Sequence, residues 1–440
     1  MTLGAILVLG GVSIAGAEDV SSLWNGASVS GLDGVLPSVP ENWADLPFQL
    51  SMNQSLTYNS NVFNTPVGNA SLTALYGSPV GTFISQTNVT ASTKFYWGAQ
   101  QFFADGTYGL YRYINYGYLN ATHNAGDLGW NWVLTSKCSG KLVASMNSAP
   151  AILGQQFGFN VLNILTTESF NETANCGITG NWSGILNSGV SRSSNSAPVD
   201  AFNNFTNVFA SAGIKYAVTE TNTLQLLATL SHYNFPNQNA ALLSLINNPF
   251  ALLNPNLQNS ALFASSVTQQ TVNLSYTRMF GPNLSVIASI GETSATMGGG
   301  SSGIEPQFSL SATYRATPKL SFNGSVAQVV TPPTAVIGAL QTSQIALFSA
   351  NYAMTPKVTF TAGAQLARLT SGLGTNPTQT VNPLFPYLTQ SRTYGFNAGV
   401  NYMMTPFLSA NLNYTFTRTN YTDLSTSASV VMLALSYAPH

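Results

Sequence analysis

From Phe48 onward, apolar and polar residues occupy alternate positions in segment after segment. Phe48, Leu50, Met52, Leu56 and Tyr58 share one parity, and Gln49, Ser51, Asn53, Ser55 and Thr57 share the other. Successive side chains of a strand point to opposite faces, so this pattern predicts a strand with one apolar and one polar face. The stretch before Thr317 repeats it, with Phe308, Leu310, Ala312 and Tyr314 against Gln307, Ser309, Ser311, Thr313 and Arg315. The stretch after Thr405 sets Leu408, Ala410, Leu412, Tyr414 and Phe416 against Ser409, Asn411, Asn413, Thr415 and Thr417.

Composition narrows what such strands can build. Only 6% of the 440 residues are charged, against about 25% in an ordinary soluble domain. Disorder does not fit 45% hydrophobic and 11% aromatic residues, which is too much apolar surface for a chain without a core. No run of about 20 apolar residues follows the first 16 positions, so spanning helices are not expected. A formal net charge of -1 gives no electrostatic case for nucleic acid as a partner. Apolar residues alternating with Ser, Thr, Asn, Gln and Gly suit a wall with lipid on one side and water on the other.

Turn signals divide the alternation into hairpins. Gly281-Pro282-Asn283, Thr317-Pro318, Thr355-Pro356 and Thr405-Pro406 each separate two alternating segments. Proline has no ladder donor and belongs in the turn. Longer segments at 295–305, 331–342 and 370–390, rich in Gly, Pro, Ser, Thr and Asn, lie between these turns. Strands are read near 48–58, 89–103, 108–119, 128–135, 141–149, 156–166, 177–187, 203–218, 223–235, 267–280, 283–294, 306–316, 319–331, 343–354, 357–369, 391–404, 407–419 and 428–438. That is about eighteen, with sixteen as the alternative because 128–202 is irregular. The expected fold is all-β: a closed antiparallel transmembrane β-barrel over 48–440, with short periplasmic turns and long extracellular loops. A barrel of this size leaves an aqueous lumen unless loops fill it. A lumen of Ser, Thr, Asn and Gln would sort solutes mainly by size and weakly by ion sign. The loop 236–266, with Leu242, Leu243, Leu245 and Ile246, is either a constriction folded into the lumen or an external loop.

The N-terminus reads as an exported leader. Leu3 to Ile14 forms an apolar stretch, Ala15-Gly16-Ala17 a small-x-small cleavage pattern, and Glu18-Asp19 follows. Residues 1–17 are therefore expected to be a signal peptide, although no positive n-region precedes the apolar stretch. A short buried strand is the alternative. Residues 18–47, with Pro37, Pro40 and Pro47, read as an irregular leader.

Arg368, Arg392 and Arg418 share the parity of the apolar sets of their strands, at the expected extracellular end. Such a position costs an arginine about 0–1 kcal/mol near the interface. Snorkelling to the interface accounts for them, and so does contact with phosphates of lipopolysaccharide. Arg315, Lys319 and Lys357 fall at the periplasmic turns, where they either bias the inner mouth towards anions or merely end the strands. Trp97, Tyr108, Tyr276, Phe280, Tyr314, Tyr352, Tyr402 and Tyr437 are expected in the periplasmic aromatic girdle.

The two cysteines, Cys138 and Cys176, are both assigned to periplasmic turns, one hairpin apart. An even count in an exported chain favours a disulfide between them, with two separate thiols as the alternative. Neither neighbours a histidine, so no metal site is expected, and no cofactor-binding motif is recognised. The histidines are His123, His232 and His440. His232 has the parity of Leu224, Leu226 and Leu230, but no serine and orienting partner are apparent for a lipid hydrolase. Gly298-Gly299-Gly300 opens no helix and is no phosphate cradle. No enzyme activity is expected.

The segment Pro47-Phe48-Gln49-Leu50 through Leu56-Thr57-Tyr58-Asn59-Ser60-Asn61-Val62-Phe63 resembles the opening strand of the β-barrel porin family of Gram-negative outer membranes. The Tyr-x-x-Thr-Pro hairpins resemble the same group. The resemblance implies an outer-membrane location, lipid and lipopolysaccharide as surroundings, passage of small polar solutes, and room for a homo-oligomer. It carries no substrate. A surface structural or adhesive barrel, its lumen plugged by 236–266 or by 18–47, is the other reading.

Overall fold

The computed structural model describes residues 48–63, 66–67, 78–152, 162–197, 201, 204–237, 265–297, 302–331, 340–372, 390–421 and 425–438. The proposed signal peptide, the leader and nearly all of the loop 236–266 lie outside the described residues. Eighteen long strands make the wall. They are β1 (Phe48–Asn59), β2 (Thr82–Trp97), β3 (Gln100–Tyr113), β4 (Ala121–Thr135), β5 (Cys138–Ile152), β6 (Leu162–Thr179), β7 (Trp182–Asn195), β8 (Phe205–Thr219), β9 (Asn222–Asn234), β10 (Ser266–Phe280), β11 (Leu284–Met297), β12 (Ser302–Thr317), β13 (Leu320–Thr331), β14 (Leu340–Thr355), β15 (Val358–Gly372), β16 (Gln390–Thr405), β17 (Leu408–Tyr421) and β18 (Ser425–Tyr437). Each pairs antiparallel with its sequence neighbours. The two-residue strand Pro66–Val67 pairs with the start of β18.

The sheet closes on itself. β1 pairs with β18 from Met52↔Tyr437 to Asn59↔Val430, and Asn53 Nδ2 donates to Ser436 Oγ at 2.7 Å across this seam. No described long strand is left as an edge, which is what a sheet in hydrocarbon requires.

The burial pattern is that of a membrane wall turned inside out relative to a soluble protein. Leu50 is 43% exposed, Leu226 43% and Leu433 50%, while Thr293 is 1% and Thr393 2% exposed. Large apolar side chains point outward, and the polar parity points into the lumen. Inside, hydroxyls pair across strands: Thr90 with Thr107 at 2.8 Å, Ser211 with Thr229 at 2.8 Å, Ser289 with Ser309 at 2.6 Å, and Thr393 with Thr419 at 3.0 Å. An outward amide finds its partners within the wall. Gln54 shares the lipid-facing parity of Leu56 and Met52; its Nε2 donates to Ser85 Oγ at 3.0 Å, and its Oε1 accepts from Thr87 Oγ1. An amide in this position has to find protein partners, because lipid offers none.

The short turns share one device. In the turns after β4, β8, β12, β14 and β16, a threonine Oγ1 accepts the backbone N–H two residues on: Thr135 from Lys137, Thr219 from Thr221, Thr317 from Lys319, Thr355 from Lys357 and Thr405 from Phe407, at 3.2–3.3 Å. The threonine stops the strand and folds the chain locally. Proline follows it in only three of these turns.

Two expected hairpins move. The strand expected at 89–103 is Thr82–Trp97, and its turn lies at Gly98, with φ +61°. The apolar run Phe95-Tyr96-Trp97 on one side and Phe102-Phe103 on the other hides this turn in the sequence. The strand expected at 156–166 is Leu162–Thr179, turning at Gly180, with φ +53°. A positive φ is readily available to glycine, and these turns contain no proline to announce them. Tyr108 consequently lies in mid-strand rather than in the girdle, whereas Trp97, Phe280, Tyr314, Tyr352 and Tyr437 stand exposed near the short-turn ends.

The cysteines also leave their expected turns. Cys138 opens β5 and Cys176 lies within β6; they are direct register partners and are joined by a disulfide. The bridge spans 38 residues, and closing a loop of that order constrains the unfolded chain by about 2–4 kcal/mol. The variant Cys138→Ser/Cys176→Ser should fold into vesicles but unfold at clearly lower urea concentration. An unchanged midpoint would show that the bridge contributes nothing to stability.

Candidate functional site

The lumen carries its charge mainly on one sector, β2 to β5. Antiparallel pairing puts Ser92 opposite Asp105 and Asp105 opposite Asp127, and Asp127 faces Ser145 on the next strand. Ser145 Oγ in turn lies 2.6 Å from Ser169 Oγ. Two carboxylates are thus direct cross-strand neighbours within a row of serine hydroxyls. Like charges placed directly opposite repel each other. A lumen site tolerates such a pair because water reaches it; Asp127 is exposed and Asp105 half-buried.

Cations lie on the periplasmic side of this pair. Lys94 is opposite Phe103, and Lys141 is opposite Asn131. The Lys141 ammonium stands 5.0 Å from the centre of the Phe103 ring, a cation–π contact. The ring reaches there because position 129 is glycine: a Cβ at Gly129 would overlap it. Below, Gln101 bridges Tyr96 and Asn131, donating to Tyr96 Oη at 2.9 Å and accepting from Asn131 Nδ2 at 2.7 Å.

On the extracellular side of the pair, His123 Nε2 lies 2.9 Å from Asn147 Oδ1, and the Tyr111 ring meets the His123 ring edge-on. Above it, loop residues fold against the lumen wall. Val62, Phe63, Tyr113 and Leu119 form a buried apolar cluster, with Leu119 fully buried. Val62 N–H donates to Val80 O at 3.0 Å, and Tyr113 N–H donates to Asn120 Oδ1 at 2.8 Å, which ties both loop segments to the barrel rim. From the extracellular end inward, this wall carries an apolar shelf, then a histidine, then two carboxylates, then two ammonium groups.

Elsewhere the lumen is sparsely charged. Lys215 on β8, and Glu305 and Arg315 on β12, share the inward parity of their strands. Arg315 lies at the short-turn end of its strand, while Lys319 and Lys357 sit in turns. The backbone carbonyls of these two lysines accept from Ala353 N–H and Met403 N–H at 2.8 Å, so they help seal each turn to the next strand. Lys319 Nζ also donates to Met354 O at 3.4 Å.

Arg368, Arg392 and Arg418 face outward near the extracellular ends of β15, β16 and β17, as their parity indicated, and all three are exposed. His232 is outward too, its Nδ1 lying 3.0 Å from Thr268 Oγ1. Among the described residues, no group of three or more His, Cys, Asp or Glu is arranged to hold a metal.

The alternation does not reveal the Asp105–Asp127 pair, because both residues fall between the expected strands. The signal was there: Gly98 marks the true turn, and moving the hairpin to it gives Asp105 and Asp127 inward parity on neighbouring strands. Glu168 and Glu172 were hidden for the same reason. They take outward parity on β6, with Glu168 opposite Arg192.

Closure, an apolar exterior and a polar lumen together define the class: this is a transmembrane β-barrel of the bacterial outer-membrane type. No family profile and no curated protein matches the sequence. Solved structures similar to it include the FrpB iron transporter of Neisseria meningitidis in its F5-1 variant apoprotein form, at 11% identity and a TM-score of 0.48, covering 86% of this chain and 62% of that one. The chain therefore spans less than two thirds of that transporter's length. Pseudomonas aeruginosa OpdL matches at 11% identity and TM-score 0.45, over 90% of this chain and 99% of its own. Pseudomonas aeruginosa OprD matches at 11% and 0.44, over 89% and 95%. Likeness this distant adds nothing to what the geometry establishes.

Asp105→Asn/Asp127→Asn removes two negative charges and leaves Lys94 and Lys141 unbalanced. The reversal potential in a salt gradient should shift towards anion preference, and the shift should shrink as ionic strength rises. An unmoved reversal potential would place the pair outside the path of permeating ions.

Proposed function

We propose that the chain is an outer-membrane channel of the porin type that passes small polar solutes by diffusion. The observation that carries this reading is the lumen wall itself: eighteen strands of inward Ser, Thr, Asn and Gln. A circumference of that size encloses water. Paired hydroxyls offer solutes exchangeable hydrogen bonds but little fixed charge, so selection acts by size and is only weakly sensitive to ion sign. The sector from β2 to β5 adds a local zwitterionic track, two carboxylates above two ammonium groups. It favours solutes that carry both charges, or none, over strongly charged ions. Arg315 at the inner end adds a positive charge to the periplasmic mouth.

A plugged structural or adhesive barrel is the second reading, and the apolar shelf of Val62, Phe63, Tyr113 and Leu119 at the outer mouth favours it. Planar-bilayer recording of the purified, folded protein separates the two. The channel reading expects stepwise conductance that scales with salt and persists when residues 18–47 are deleted. A silent full-length protein that becomes conducting on deleting 18–47 or 236–266 supports the plug instead.

A further inference from the structure

Arginine and lysine are sorted by place in this barrel. Arginine occurs at seven positions and lysine at six. Arg112, Arg192, Arg368, Arg392 and Arg418 all face outward, and all lie near the extracellular ends of their strands. Arg278 faces outward at the other end, its guanidinium over the Phe280 ring at 4.3 Å, and Arg315 faces the lumen. Every lysine is elsewhere: Lys94, Lys141 and Lys215 have inward parity, and Lys137, Lys319 and Lys357 stand at the short turns. Cost alone does not account for this division. A lysine snorkels to an interface as readily as an arginine. What an arginine adds is a planar fork that grips a phosphate through two parallel hydrogen bonds.

The band is densest where three neighbouring strands contribute. Arg368 and Arg392 are direct register partners, and Arg418 on the next strand is opposite Tyr394, one pair below Arg392 on the same face. Gln328, opposite Gln344, and Gln344, opposite Arg368, extend the row. Two guanidinium groups placed directly opposite each other repel. Among the described residues, no carboxylate shares the outer face of β12 to β18. Arg192, by contrast, has Glu168 opposite it. Among the described residues, the Arg368–Arg392 pair therefore has no carboxylate opposite it on this face, and it is built from the side chain suited to phosphate.

We propose that Arg368, Arg392 and Arg418 form a binding site for a lipid that carries clustered phosphates in the outer leaflet. The first two would fork one phosphate between them and the third would take a second phosphate or the same lipid's sugar oxygens. The inference rests on the membrane orientation of the barrel but not on its conducting solutes.

The test uses the full-length protein folded in detergent, with retained lipid counted by native mass spectrometry after washing. The probes are a diphosphorylated glucosamine lipid, phosphatidylglycerol and inorganic phosphate. The wild type should retain the diphosphorylated lipid more strongly than phosphatidylglycerol, and a molar excess of inorganic phosphate should not displace it. Retention should fall at least tenfold in Arg368→Gln/Arg392→Gln/Arg418→Gln and stay unchanged in Arg278→Gln. Heat-modifiable mobility on gels confirms folding, and unchanged conductance of the triple variant keeps this result separate from the channel reading. Should the glutamine variant not fold, Arg368→Lys/Arg392→Lys/Arg418→Lys keeps the charge and removes the fork, and its retention should fall at least threefold. Undiminished retention in the folded glutamine or lysine variant, an equal loss in Arg278→Gln, or displacement by inorganic phosphate would each overturn the proposal.

Discussion

A peptide group in hydrocarbon has no water to bond with, so every N–H and C=O of the wall must be paired within the protein. That one requirement explains most of this structure. It forbids an open sheet edge, forces β1 onto β18, and fixes the outward parity as apolar. It also explains the exceptions. Gln54 on the lipid face is held by Ser85 and Thr87, and Gln328 donates to Pro306 O at 2.9 Å and accepts from Gln344 at 2.8 Å. An unpartnered amide in either place would be strongly unfavourable.

Once the cylinder is closed, the lumen is the place where polar groups can be spread without penalty. Hydroxyl pairs across the strands line it and hold the wall together at the same time. Charge is placed by position: luminal carboxylates and ammonium groups are densest on β2 to β5, and arginines mark the upper rim outside. Luminal charge and membrane contact thus occupy opposite faces of one wall. Ile84 and Phe83 illustrate how sharp the division is. Adjacent in sequence, one packs against the luminal shelf and the other, 44% exposed, faces lipid.

Much of this was legible in the residues. The alternation gave the fold class, the strand number and the direction in which Arg368, Arg392 and Arg418 point. The proline turns located the C-terminal hairpins to within a few residues. Register was not legible where a turn lacks proline and strand-like residues continue through it. Phe95-Tyr96-Trp97-Gly98-Ala99-Gln100-Gln101-Phe102-Phe103 reads as one continuous β-forming run, so the hairpin at Gly98 was missed, and with it the Asp105–Asp127 pair. The cysteine pairing survived the misplacement of Cys176 because it was argued from count and compartment rather than from register. The more general turn signal is the threonine that ends β4, β8, β12, β14 and β16, which serves with or without a following proline.

The seam between the first and last strands is the most direct test of the account. In a Cys138→Ser/Cys176→Ser background, Asn53→Cys/Ser436→Cys places two thiols on register partners at the seam. Asn53→Cys/Ser409→Cys places the second thiol one strand further on. In the folded, membrane-inserted protein, mild oxidation should join the first pair within one chain and leave the second pair free. Folded protein in which Asn53→Cys/Ser436→Cys stays reduced, or in which both pairs react alike, would contradict the closed cylinder.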